Sequence, residues 1–128
     1  REIKRMNTAS ANVPRLVKDE TNYAYLSTDD ARELGVKAGD LVDVASDYGE
    51  RSIPVKVSDE MMPKTVAIPQ CWGHKKADGL SHAVAHPGVN SNYLAGDGVA
   101  NIEALSGMSH LSGIFVRIKK SDRLAVAS

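Results

Sequence analysis

The chain has 128 residues, enough for one domain that buries about two thirds of the surface its unfolded form exposes. Its 16 basic and 16 acidic residues cancel, so no summed field draws it to nucleic acid or to an anionic membrane surface. No apolar run approaches the roughly 20 residues of a bilayer span, and the composition therefore gives neither a nucleic-acid partner nor direct membrane contact. No signal-peptide pattern opens the chain, and its single cysteine excludes an internal disulfide and fits a reducing, cytoplasmic compartment. The chain begins at Arg1 rather than methionine, as a piece cut from a longer polypeptide would.

In chain order the signals are mostly β. Tyr23-Ala24-Tyr25-Leu26 reads as a short strand, and Ser27-Thr28-Asp29-Asp30 is a helix N-cap cluster. Asp29 to Leu34 makes a helix of under two turns, which Gly35 stops in left-handed conformation. Gly39-Asp40 gives another turn. Leu41 to Ser46 and Ile53 to Val57 alternate apolar and polar residues, with Asp47-Tyr48-Gly49-Glu50 joining them as a hairpin loop. Thr65-Val66-Ala67-Ile68 is strand-like between Pro63 and Pro69, and Ile114 to Lys119 is an alternating closing strand. Residues 1–21 form an opening segment, 22–120 the domain proper and 121–128 a tail.

Between Gln70 and about Ser112 periodicity fades, and small residues, Gly, Asn, Ser and His take over. Loops this long inside a compact domain are usually functional or disordered. Trp72, Tyr93 and the short apolar stretches weigh against disorder. The densest run is His86-Pro87-Gly88-Val89-Asn90-Ser91-Asn92-Tyr93-Leu94, preceded by Cys71-Trp72-Gly73-His74. Uncharged amide side chains in a Gly/Pro-opened loop both donate and accept hydrogen bonds, which suits a large, flat ligand better than acid–base or nucleophilic chemistry. Strands early and late with an irregular middle imply a small closed β-barrel carrying a working loop.

These residues resemble a known family. Asp29-Asp30-Ala31-Arg32-Glu33-Leu34-Gly35-Val36-Lys37-Ala38-Gly39-Asp40-Leu41-Val42 is similar to a "D-A-x-x-L-G-hydrophobic-x-x-G-D-x-V" stretch of the molybdopterin dinucleotide-binding domain. That domain closes molybdopterin oxidoreductases of the dimethyl sulfoxide reductase and formate dehydrogenase type. The likeness continues, in the family's order, through Met62-Pro63-Lys64-Thr65-Val66, Trp72-Gly73-His74, Gly88 to Leu94 and Leu105-Ser106-Gly107. It covers about residues 22 to 119, with a weaker extension through Arg1-Glu2-Ile3-Lys4-Arg5-Met6-Asn7-Thr8, which resembles an "R-x-x-x-R-x-N-S/T" segment. Two departures stand out: Ala9 and Ala11 replace a Trp and a His of some members, and Glu103-Ala104 replaces Asp-Pro.

The resemblance implies a mainly β fold, a six-stranded double-psi β-barrel with short helices and a long ligand loop. It implies molybdopterin guanine dinucleotide as the cofactor, with molybdenum or tungsten held through it and any iron–sulfur cluster in other domains. The remaining domains of the parent oxidoreductase become its partners, and the isolated chain is expected to bind weakly and turn nothing over. The cofactor-binding residues so implied are Arg1, Arg5, Asn7, Thr8, Trp72, Gly73, His74, Asn90, Asn92 and Tyr93; none is catalytic and none binds metal. Each has a plainer reading. Asparagines cap turns, Trp72 packs in a core, Gly73 serves a turn, and arginines or Lys75-Lys76 lie solvated at the surface.

Two rivals come from other classes. Cys71, His74, His82 and His86 fall as C-x2-H-x7-H-x3-H, superficially a tetrahedral zinc set. The last pair shares a face only if residues 81–86 are helical, which Pro87-Gly88 ends at once, and the seven-residue gap is short for a zinc module. An enzyme on the same barrel is the other rival. Self-processing at a Gly-Ser bond is absent because the chain has no Gly-Ser dipeptide, and no nucleophile motif supports a Ser106, His110, Asp97 hydrolase.

Overall fold

In the computed structural model of the chain, residues 21–70, 72–76, 78–96, 98–110 and 113–123 are described. Arg1, Arg5, Asn7 and Thr8, along with Cys71 and Asp97 of the rival sets, lie outside the described residues.

The first strand, β1 (Ala24–Leu26), buries Ala24 and Leu26 and leads directly into helix α1 (Thr28–Leu34). Ser27 caps that helix, its hydroxyl oxygen accepting from the Asp30 N–H at 3.2 Å. Gly35 ends it at φ 67°, where its N–H reaches back to the last turn. The chain then alternates as the sequence predicts. In β2 (Leu41–Ala45) Val42 and Val44 point inward, and in β3 (Glu50–Val57) Ile53 and Val55 do. The hairpin between them closes with the Ser46 N–H on the Gly49 carbonyl at 2.8 Å.

Strand order is β1-β3-β2-β4, with β4 (Arg117–Lys120) antiparallel to β2 and β1 parallel to the far half of β3. β3 thus serves β2 with its first residues and β1 with its last, and the sheet curls into half a barrel. Its concave side holds the core: Ala24, Leu26, Val42, Val44, Ile53 and Val55 are at most 1% exposed, and Ala31, Val36 and Leu94 pack on them.

The structure is more economical in strands than the sequence implies. Among the described residues four strands form, not six. Residues 65–68 make only a bridge, Ala67 opposite Tyr25, because Pro63 and Pro69 remove ladder donors on both sides. Residues 114–116 keep the alternation, with Phe115 95% exposed between half-buried Ile114 and Val116. They lie past the end of β2, where Arg117 pairs with Ala45, and among the described residues no strand continues to receive them. The aperiodic region carries a short helix, α2 (Ser81–Ala85), and 3-10 turns at Ser91–Leu94 and Val99–Asn101. No helix among the described residues is long and apolar enough to cross a membrane.

Candidate functional site

The two polar motifs, sixteen residues apart between Trp72 and Gly88, meet in space. The Gly73 N–H donates to the Pro87 carbonyl at 2.6 Å. Gly73 sits at φ 107°, and a Cβ there would lie 2.5 Å from the Asn90 Cβ. On Gly88 a Cβ would lie 2.5 Å from Trp72 Cε3 and 2.8 Å from Asn22 Oδ1. Real Cβ atoms do not approach that closely, so glycine is what permits the two loops to touch.

Asn22 fastens this junction to the sheet. Its amide is fully buried at the foot of β1 and grips Val89 on both sides. Asn22 Nδ2 donates to the Val89 carbonyl at 2.9 Å, and Oδ1 accepts from the Val89 N–H at 2.8 Å. A further bond, from Nδ2 to the Pro69 carbonyl at 3.2 Å, holds the start of the loop. Sequence reasoning missed Asn22; its partners are 47 and 67 residues away, and no local spacing could reveal them.

The wall so built faces a cleft of about 770 Å³. Gly73, Gly88, Val89, Asn90, Tyr93, Lys75 and Lys76 line it on the loop side, with Asp43, Glu50, Arg51, Ser52 and Arg123 opposite. Pockets for ligands of this size commonly span about 300–1,000 Å³. Arg51 lies over the Tyr93 ring with its guanidinium carbon 3.8 Å from the centroid. Ser52 Oγ donates to Asp43 Oδ1 at 2.5 Å. That bond holds the Asp43 carboxyl below its ordinary range; burial opposes it, while Ser121, Lys119 and Arg123 add to it.

The implied residues sort by position. Gly73, Asn90 and Tyr93 share the cleft. Trp72 is 6% exposed and lies behind it, its ring edge against Gly88, so it supports the wall from within. His74 is half-buried, and its Nε2 is a buried atom with no hydrogen-bond partner among the described residues. Asn90 Oδ1 accepts from the Asn92 N–H at 3.0 Å, so its oxygen caps the 3-10 turn while its NH2 group has no protein partner among the described residues. Asn92 lines a neighbouring, more apolar cleft of about 420 Å³ with Val66, Ile68 and Leu94. The two amides therefore serve adjoining clefts rather than one platform.

The rivals gain little. α2 does place His82 and His86 together, rings 4.8 Å apart, yet no group of three or more His, Cys, Asp or Glu gathers among the described residues. Ser106 donates its hydroxyl hydrogen bond to the Glu103 carboxylate.

A pterin dinucleotide needs neutral donors and acceptors for its ring and cations for its phosphates. The cleft supplies both, and its wall is backbone brought close by glycine, so the residues present fit such a group. Comparison with known proteins agrees. Residues 1–109 match the family described as Molydopterin dinucleotide binding domain. A protein named FwdD from Methanocaldococcus jannaschii is 41% identical over 56 residues, which cover 44% of this chain and 41% of that one. Among solved structures, acetylene hydratase from Pelobacter acetylenicus superimposes with a TM-score of 0.62 at 23% identity, over 78% of this chain and 14% of that one. The chain therefore spans less than half of the first relative and about a seventh of the second.

Proposed function

Since the chain belongs to the molydopterin dinucleotide binding domain family, we propose that its cleft grips molybdopterin guanine dinucleotide within a larger molybdopterin oxidoreductase. The observation that carries this reading is the junction of Gly73 with Pro87 and Asn90, which turns two separate motifs into one wall of a ligand-sized cleft.

The mechanism is positional. When bound, the cofactor supplies the redox chemistry through its molybdenum or tungsten. The chain supplies placement: the Asn90 NH2 group and the backbone at Gly73 and Gly88 offer neutral contacts, and the cations of the cleft offset phosphate charge. Asn92, Tyr93 and His74 flank the same wall, and Arg1, Arg5, Asn7 and Thr8 complete the set that the family likeness implies. Remaining domains of the parent enzyme close the other side, so the isolated chain binds weakly and has no turnover. The half-barrel reads as part of a six-stranded double-psi barrel. The Tyr25–Ala67 bridge supports a further strand at 65–68, and the alternation of 114–116 supports extension of β4. The single cysteine supports a cytoplasmic location.

Asn90→Asp in the parent enzyme tests the reading. It keeps the oxygen that caps the turn and loses the NH2 donor. A lost neutral hydrogen bond is worth about 0.5–1.5 kcal/mol, roughly two- to tenfold in affinity. Metal content and specific activity should fall in parallel. Full occupancy by metal assay would remove the assignment.

A further inference from the structure

We propose that Arg51, held over the Tyr93 ring, contacts the diphosphate of the bound dinucleotide; the inference rests on the cofactor reading above and names the part of the ligand this cleft takes. Three observations carry it.

The first is register. Arg51 stands opposite Val44, on the row of β3 that continues through the buried Ile53 and Val55. A cation on a core-facing row needs a reason, since an unpaired charge there is costly. Arg51 escapes the core by turning over the end of the strand onto Tyr93, which brings it into the cleft.

The second is compensation of charge. The two carboxylates of the cleft have their own cations: Asp43 is flanked by Lys119 and Arg123, and Glu50 Oε1 lies 3.9 Å from Lys119 Nζ. Arg51, Lys75 and Lys76 form no ion pair with any described carboxylate. Among the described residues the uncompensated charge of the cleft is therefore positive, with Lys75 and Lys76 on the loop side and Arg51 across from them.

The third is preorganisation. Tyr93 covers one face of the guanidinium, and Nη1 donates to the Glu50 carbonyl at 2.7 Å. Gly49 braces the other partner, for a Cβ there would sit 2.5 Å from the Tyr93 carbonyl oxygen. What remains is the outer edge of the fork, whose parallel N–H groups match two phosphate oxygens. Lys75 and Lys76 lack such fixing and add charge rather than direction. Tyr93 is in this view a positioning residue, acting through Arg51.

The test uses the full chain, isotopically labelled, titrated with GDP, with guanosine and with inorganic pyrophosphate. The side-chain Nε–Hε signal of Arg51 should move with GDP and pyrophosphate and stay still with guanosine. GDP affinity should drop about tenfold in Arg51→Gln and Tyr93→Leu, with backbone signals of β2 and β3 unchanged, and Arg51→Lys should recover only part of the loss. Wild-type affinity in Arg51→Gln, or a response of the Arg51 signal to guanosine alone, overturns the inference; if Gly73 and Asn90 still respond to GDP, the cofactor reading survives it. No response at Gly73, Asn90 or Arg51 to any of the three probes sinks both.

Discussion

Residues 24–57 and residues 72–101 are held in place by different physics. In the first region period-two alternation drives Val42, Val44, Ile53 and Val55 into one apolar face, each at most 1% exposed, and the ladder follows from that burial. In the second, Leu94 is the buried residue that joins the sheet's core cluster, with Val89 packed against it, and the path is fixed by individual polar joints. These are Asn22 to Val89, Gly73 to Pro87, Asn90 to Asn92, and the Tyr48 hydroxyl to Asn101 Oδ1 at 3.0 Å. An irregular chain cannot satisfy its backbone groups by a ladder, so each must find a partner elsewhere. The sheet is specified by a pattern, the loop by a few named contacts, some within itself and some with residues beside the strands.

The contrast can be broken by mutation. Ile53→Ala should have the largest effect, about 2–5 kcal/mol of global stability. Urea unfolding followed by tryptophan fluorescence would show the midpoint fall, with both regions lost in one step. Asn22→Ala should cost less, about 1–3 kcal/mol, through backbone groups of Val89 left without partners. Its signature is local: hydrogen exchange at the Val89 and Gly73 amides should quicken while Val44 and Ile53 keep their protection. Equal acceleration in both regions would erase the distinction drawn here.

The smallest effect belongs to Asp43→Asn. Because the Ser52 bond and the neighbouring cations depress the folded carboxyl, its contribution is present above the ordinary carboxylate range and lost as pH falls through the folded value. The variant should be slightly less stable than the parent near neutrality, converge on it in acid, and so show a flatter decline of stability as pH falls. An unchanged acid limb would mean the outer face of β2 carries no such coupling.

How much of this was legible follows the same line. The Ser27 cap, the Gly35 stop, the hairpin and the inward valines could all be read from neighbours in the chain, because local sequence determines them. The convergence of Trp72-Gly73-His74 with Gly88-Val89-Asn90 was reachable only through family likeness, since no periodicity links them. Asn22 and Arg51 were out of reach. The first acts on backbone far along the chain, and the second lies just before the stretch from which the strand was recognised. Four of the six strands that the family likeness implies form among the described residues; alternation shows which face a residue takes, not which strand it pairs with, and residues 114–116 show the alternation outside any strand.

The clasp between Asn22 and Val89 closes a span of 67 residues with a single side chain. The same side chain also holds the Pro69 carbonyl, so one residue ahead of β1 ties the chain down at both Pro69 and Val89, and the geometry of the wall is set from outside the loop that forms it.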